Sequence, residues 1–202
     1  MVLPPNCPSK MPQPCGSIEL IIGPMFSGKT TELLRRVRRL RVAGYRVLLI
    51  NYAGDQRYSQ SHVVTTHDAA NEEGVAVTRL GDEQIQRSIC EADVVAVNEG
   101  QFFPDLYEVC SRLADSMKRV IVAGLDATYE RKPFPQMVEL LCMSEKVTKL
   151  SAVCMVCKTG RGVYSMRTSS ERELIVIGGA DKYVAACRAC YVARNALAVA
   201  PV

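Results

Sequence analysis

Residues Gly23-Pro24-Met25-Phe26-Ser27-Gly28-Lys29-Thr30 fit the pattern G-x-x-x-x-G-K-[S/T] without a mismatch. No other run constrains the fold as strongly, because a phosphate-binding loop works between a strand that delivers it and a helix that leaves it. Both flanks are present. Ile18-Glu19-Leu20-Ile21-Ile22 reads as a buried strand. Between Lys29 and Val42, Leu33, Leu34, Val37 and Leu40 recur at helical spacing, and Gly44 follows as a stop. In such a loop, glycines let backbone N–H groups wrap phosphates, a lysine reaches the β/γ-phosphates, and a threonine hydroxyl ligates Mg²⁺. Gly23, Ser27, Gly28, Lys29 and Thr30 are therefore the candidate phosphate-binding residues, with Thr30 also the candidate magnesium ligand. The expected ligand is a nucleoside triphosphate.

The rest of the chain extends the pattern. Arg46-Val47-Leu48-Leu49-Ile50, Val94-Val95-Ala96-Val97 and Val120-Ile121-Val122-Ala123-Gly124-Leu125 are apolar runs, as parallel strands covered on both faces tend to be. Leu106, Val109, Leu113 and Met117 mark a helix between the last two, with Pro104 in its first turn. Strands alternating with helices predict an α/β fold with a doubly wound, mostly parallel sheet over residues 16–148. Pro4, Pro5, Pro8, Pro12 and Pro14 make residues 1–15 a disordered tail. From Lys149 the pattern changes to short β-like runs around cysteines, which places a small second domain at residues 149–193 and a tail at 194–202. Residues 56–75 are polar and poorly periodic, a functional or a mobile loop. Arg35, Arg36, Arg38, Arg39 and Arg41 share one face of the first helix. That face reads first as a solvated or subunit-facing surface and second as a nucleic-acid contact.

No apolar stretch approaches the roughly 20 residues of a membrane span. The N-terminus lacks a basic flank followed by an apolar core, so no signal peptide is expected and the chain reads as cytoplasmic. The net charge of +4 suits an anionic substrate without implying nucleic acid. The cysteine count is nine, an odd number, and four of them fall in two C-x-x-C pairs, which favours metal over a disulfide framework. Cys154-x-x-Cys157 and Cys187-x-x-Cys190, with 29 residues between the pairs, can close a tetrahedral S₄ site of the structural zinc type, a redox dithiol or a chance spacing being the alternatives. Cys7 and Cys15 have no such partners, and Cys90, Cys110 and Cys142 sit in apolar patterns as small core residues.

In phosphate-loop enzymes an apolar strand ends in a carboxylate that holds the magnesium shell. Here Val94–Val97 ends in Asn98-Glu99-Gly100-Gln101-Phe102-Phe103, with asparagine where aspartate is expected. Its carbonyl oxygen can meet a magnesium-bound water, but it brings no charge. Glu99, next in line at the ligand edge of the sheet, is a candidate general base for an attacking hydroxyl.

The phosphate loop, Glu99-Gly-Gln-Phe-Phe103, Leu125-Asp-Ala-Thr-Tyr-Glu-Arg-Lys-Pro-Phe134, the two cysteine pairs and Gly178-Gly-Ala-Asp-Lys-Tyr183 occur in one chain. Together they closely resemble the type II (cytosolic, eukaryotic-like) thymidine kinases, from Gly16 to about Arg194. The resemblance implies a RecA-like P-loop core and a small C-terminal zinc-binding lasso domain. It implies transfer of the ATP γ-phosphate to the 5′-hydroxyl of deoxythymidine, giving dTMP for pyrimidine salvage. Feedback inhibition by dTTP, a homotetramer, structural Zn²⁺ and Mg²⁺ with ATP go with it, and neither nucleic acid nor membrane is an expected partner. Position by position, Glu99 matches the catalytic base, with Lys29 and Arg57 as catalytic partners, and Gln101 the glutamine beside the base. Asp55 and Arg57 match an Asp-x-Arg at the phosphate and magnesium region, where Asn98 also belongs. Met25 and Phe102 resemble residues beside the thymine, and Leu125, Thr128, Tyr129 and Phe134 its pocket wall. Position 129 is usually Phe in the family, so the Tyr129 hydroxyl needs a partner. Ser165, Leu174, Val176, Gly178 and Tyr183 fall in the lasso, and Arg167 resembles a lasso arginine that contacts acceptor phosphate.

Asn98 motivates a second reading, a catalytically impaired nucleotide-binding homologue or a trapped mutant, since a charge lost beside Mg²⁺ weakens turnover more than binding. The arginine face motivates a third, a nucleic-acid-binding ATPase, against which the E-G-Q-F-F and G-G-A-D-K-Y motifs speak.

Overall fold

The computed structural model describes residues 15–54, 63–65, 71–169, 171, 173 and 178–199. In chain order the elements are β1 (Ser17–Gly23), α1 (Lys29–Val42), β2 (Val47–Tyr52), β3 (Val63–Thr65), β4 (Asn71–Glu73), β5 (Val75–Val77), α2 (Glu83–Glu91) and β6 (Val94–Val97). A 3₁₀ turn (Gly100–Phe102), α3 (Leu106–Asp115), β7 (Arg119–Leu125), α4 (Pro135–Leu141) and β8 (Lys146–Lys149) follow. The C-terminal part holds β9 (Ala152–Val153), β10 (Arg161–Gly162), β11 (Tyr164–Arg167), β12 (Tyr183–Ala186) and α5 (Arg188–Val199).

Six strands form one parallel sheet in the order β5-β2-β6-β7-β1-β8. Alternation along each strand sorts the apolar side chains to two faces. Ile21, Leu49, Val94, Ala96, Ile121 and Ala123 pack against Leu33, Leu34, Val37 and Leu40 of α1. Leu20, Ile22, Ile50, Val95, Val97, Val120 and Val122 face the other way, toward Ile85 and Ile89 of α2, Leu106, Val109 and Leu113 of α3, and Met137 and Leu140 of α4. Covering both faces leaves the strands apolar throughout, which is why β1, β2, β6 and β7 were readable as unbroken runs. The doubly wound, mostly parallel α/β reading stands.

One charged residue interrupts the pattern. Glu19, 6% exposed, points to the α1 face. It accepts from Arg36 Nη1 of α1 at 2.7 Å and from the Arg119 guanidinium of β7, while Arg36 also donates to Thr148 Oγ1 of β8. The arginine run of α1 is largely spent this way. Arg35 and Arg36 pair with Glu32, and Arg38 and Arg41 with Glu72.

Several expectations are corrected in detail. Pro104 precedes the Asp105 cap of α3 rather than opening its first turn. Met117 lies beyond the helix in a left-handed conformation (φ 66°), 55% exposed, because the chain turns there into β7. α2 and α4 were not anticipated, nor were the short strands β5 and β8 at the two sheet edges. The 56–75 stretch contributes the antiparallel pair β3–β4 and the start of β5. Cys110 is fully buried, but Cys142, the C-cap of α4, is exposed and Cys90 is only half-buried. α5 continues to Val199, beyond the point at which a tail was expected. No described helix is long and apolar enough to cross a membrane.

Candidate active site

The glycine-rich loop Gly23–Thr30, the candidate phosphate loop, leaves the C-terminal end of β1. Gly23 has φ 152°, and a Cβ there would lie 2.6 Å from Leu150 O, so only glycine fits. Phe26 and Gly28 both take left-handed conformations (φ 63° and 80°), the backbone alternation that turns successive N–H groups inward as an anion nest. Gly28 caps α1 without a side-chain hydrogen bond, which leaves the helix N-terminus available to an anion. Pro24 O accepts from Lys29 Nζ at 2.7 Å and from Ser27 Oγ at 2.8 Å. Lys29 is thus folded into its own loop, 9% exposed.

Three neighbouring strand ends supply the polar groups opposite. At the end of β6, Asn98 N–H donates to Ile50 O at 2.8 Å. The Asn98 side chain is 6% exposed; its Oδ1 accepts from Thr30 Oγ1 at 3.2 Å and its Nδ2 donates to Asn51 Oδ1 at 2.8 Å. Asn51 was not singled out in the sequence. It stands one residue past the apolar run of β2, at the same sheet edge as Asn98, but a partner 47 positions away in the chain leaves no local signal.

Glu99 has φ 55° and ψ 41°, a left-handed conformation that a non-glycine residue holds at a cost of about 1–3 kcal/mol. The turn that follows clamps it: Gln101 Nε2 donates to Glu99 Oε2 at 2.6 Å, and Leu125 N–H of β7 donates to Gln101 Oε1 at 2.9 Å. Gly124 makes room for this clamp, since a Cβ there would meet Gln101 Oε1 at 2.8 Å. Met25, Lys29, Thr30, Glu99 and Leu125 line one cleft, which brings Glu99 and the Gly23–Thr30 loop to a shared space.

Behind the loop, Met25 N–H donates to the buried Ser165 Oγ of β11 at 3.0 Å, tying the C-terminal part to the phosphate loop. The segment after β7 forms a tight turn. Thr128 N–H donates to Lys132 O at 2.8 Å and its hydroxyl accepts from Lys132 N–H at 3.2 Å. The Tyr129 hydroxyl donates to Glu130 Oε1 at 3.3 Å, the partner that position required. Arg167, 8% exposed, lies over the Tyr129 ring at 3.8 Å from its centroid and donates from Nη2 to Tyr183 Oη at 2.6 Å. Tyr129, Arg167 and Tyr183 therefore form a second cluster beside the first. Phe102 is half-buried against Tyr52, ring centroids 5.3 Å apart, and Phe134 is the buried N-cap of α4 within the main core. Gly178 is buried, with Lys182 Cδ 2.5 Å from where a Cβ would sit. Asp55, Arg57, Leu174 and Val176 lie outside the described residues.

The thiols of Cys154, Cys157, Cys187 and Cys190 all lie within 4.8 Å of one another. Hydrogen bonds from the side chain and backbone of Thr159 and from Gly160 N–H bring the Cys157 thiol down to about 6, while Cys190, facing the Cys187 sulfur and the other cysteines, is pushed up to about 12. Lys158 turns the first knuckle at φ 63° and donates its N–H to Cys154 O at 2.9 Å. Four thiols converging this closely can hold a metal such as zinc.

A family model, Thymidine kinase, matches residues 16–191. The chain is 49% identical over 177 residues to the thymidine kinase of vaccinia virus (strain Ankara), covering 88% of this chain and 97% of that one. Cytosolic thymidine kinase of Gallus gallus is 46% identical over 191 residues, 95% of this chain and 84% of that one. The Homo sapiens cytosolic enzyme is 47% identical over 187 residues, 93% and 76% of the two chains. Matched by that model over residues 16–191 and 46–49% identical to these relatives over most of its length, the chain belongs to the thymidine kinase family.

Proposed function

We propose that the chain transfers the γ-phosphate of ATP to the 5′-hydroxyl of deoxythymidine. The observation that carries this reading is the cleft that Glu99 lines together with Lys29 and Thr30 of the candidate phosphate loop. Such a carboxylate can accept the proton of an acceptor hydroxyl while the loop holds the donor phosphates. Glu99 is oriented for that role by Gln101, which is itself fixed to the backbone of β7. Phosphoryl transfer needs positioning and charge stabilisation more than covalent chemistry. Lys29 would leave Pro24 O for the β/γ-phosphates, with Arg57 from the Asp-x-Arg segment joining it. The oxygen donors of Thr30 and Asn98 suit Mg²⁺ arriving with the nucleotide, whose part is to neutralise phosphate charge.

The acceptor base would lie among Met25, Phe102, Leu125 and Tyr129, closed over by the lasso through Ser165, Gly178 and Tyr183. The Met25–Ser165 hydrogen bond supports this, because it makes the lasso and the phosphate loop one wall. Zn²⁺ in the cysteine cluster would be structural, since four thiolates leave no open position. Inhibition by dTTP, a homotetramer and a cytoplasmic location complete the proposal and follow the family resemblance.

The test is dTMP formation from ATP and deoxythymidine by the unaltered chain and by Glu99→Gln. Turnover falls by at least about a hundredfold in the variant with nucleotide affinity retained; turnover retained in the variant removes Glu99 as the base. A second reading, a homologue that binds but turns over poorly, is favoured by one observation, the neutral Asn98–Asn51 pair where the magnesium shell expects charge.

A further inference from the structure

We propose that Tyr191 couples the four-cysteine site to the acceptor pocket, acting as a positioning residue for the turn that carries Thr128 and Tyr129. The proposal rests on the reading above, in which that turn walls the deoxythymidine site and zinc fills the cysteine cluster.

Tyr191 directly follows Cys190 in α5, and its N–H donates to Cys187 O at 2.9 Å. Its backbone is therefore set by the same two residues that complete the thiol cluster. The side chain is 6% exposed and packs with Met166 and Ala186. Its hydroxyl donates to Tyr129 O at 2.5 Å. The ring lies 4.7 Å from the Arg131 guanidinium and 5.3 Å from the Tyr164 ring. Arg131 belongs to the same turn; it holds a left-handed φ of 64° and donates its N–H to Thr128 O at 3.0 Å. One aromatic residue thus grips the turn at two places, the carbonyl of residue 129 and the guanidinium of residue 131.

Tyr129 is gripped from its other end by Arg167, stacked on its ring and bonded to Tyr183. The pocket wall is held between the lasso and the thiol cluster. A buried phenol that loses its acceptor, or a cation that loses its ring, makes any drift of α5 costly. Metal in the cluster fixes α5, α5 fixes Tyr191, and Tyr191 fixes the turn. Coupling of this kind is reciprocal: what the metal does for acceptor binding, the acceptor does for metal retention. Packing alone predicts no such reciprocity.

The experiment follows zinc released from the full chain to a chromogenic chelator, with and without deoxythymidine, beside steady-state kinetics. Deoxythymidine slows release from the unaltered chain by about fivefold or more. Tyr191→Phe keeps its zinc complement, loses most of that protection, and raises KM for deoxythymidine by about fivefold with kcat and KM for ATP unchanged. Arg131→Gln shifts both readouts in the same direction and serves where the first variant fails to fold. Equal protection in the variants and the unaltered chain, or no protection in the unaltered chain, overturns the coupling. An unaltered chain that fails to phosphorylate deoxythymidine, yet shows protection lost in the variants, overturns the functional reading instead.

Discussion

Replacing Asn98 by Asp tests the proposed magnesium shell through two effects of opposite sign. The position is 6% exposed, so the new carboxylate is nearly buried. It loses the Nδ2 donor that now meets Asn51 Oδ1 at 2.8 Å, and until Asn51 turns its amide two acceptors face each other. Thr30 Oγ1 still donates and offsets part of the loss. Without nucleotide the expected cost is about 1–3 kcal/mol, and each kcal/mol lowers Tm by about 2–4 °C in a chain of this size. With Mg²⁺ and ATP the sign reverses. A carboxylate behind a magnesium ligand is worth about 10–100-fold in metal affinity or activity. Asn98→Asp should therefore melt earlier alone, gain more on adding MgATP, half-saturate at about tenfold less Mg²⁺ and raise kcat. Thermal melts with and without MgATP and a magnesium titration of dTMP formation read all four. A variant with unchanged Tm, unchanged Mg²⁺ requirement and unchanged kcat would refute the placement of Asn98 beside the metal.

Gly124→Ala drives a methyl to 2.8 Å from Gln101 Oε1 and 3.0 Å from Met137 Cε. Gln101 then releases Leu125 N–H and Glu99 together; kcat falls by about tenfold for a stability loss of about 1–3 kcal/mol, and full kcat in a folded variant would show that the clamp is dispensable. Glu32 is held down to about 2 by hydrogen bonds from Arg35, and from Arg36 against burial. A lowered carboxylate stabilises the fold above its unfolded value of 4.5 and loses that contribution as pH falls toward about 2. Glu32→Gln should flatten acid melting between those limits, by less than about 1 kcal/mol because surface ion pairs are weak; an unchanged acid limb would count against the pairing.

Legibility in the sequence followed burial. α1 and β1 could be read because their residues meet the core along a whole face or both faces. α2 offers only Ile85 and Ile89 to the core in nine residues, and β8 is a Lys-Val-Thr-Lys edge strand, so neither carries a period long enough to stand out. Met117 misled because it continues the spacing of Leu113, while the helix has already ended at Asp115. The site divides in the same way. The Gly23–Thr30 loop and Glu99 are local motifs, whereas the side chains of Asn51, Tyr52 and Tyr191 meet partners far along the chain. Thr128 reads as pocket wall from its motif, and the structure adds that its hydroxyl accepts from Lys132 N–H within its own turn.

The Glu19 cluster has a consequence for folding. A parallel sheet of Val, Ile and Leu strands offers neighbouring alignments of similar apolar content. Sliding β1 by one residue against β7 would carry Glu19 from Arg36 and Arg119 to the opposite face, beside Val120 and Val122 of β7. An unpaired carboxylate there would cost several kcal/mol; Arg119 would lose its carboxylate partner and Arg36 would keep only Glu32. One acid in an otherwise apolar strand thus acts against misalignment. It pins β1, α1, β7 and β8 in the arrangement that delivers Gly23 to the mouth of the site.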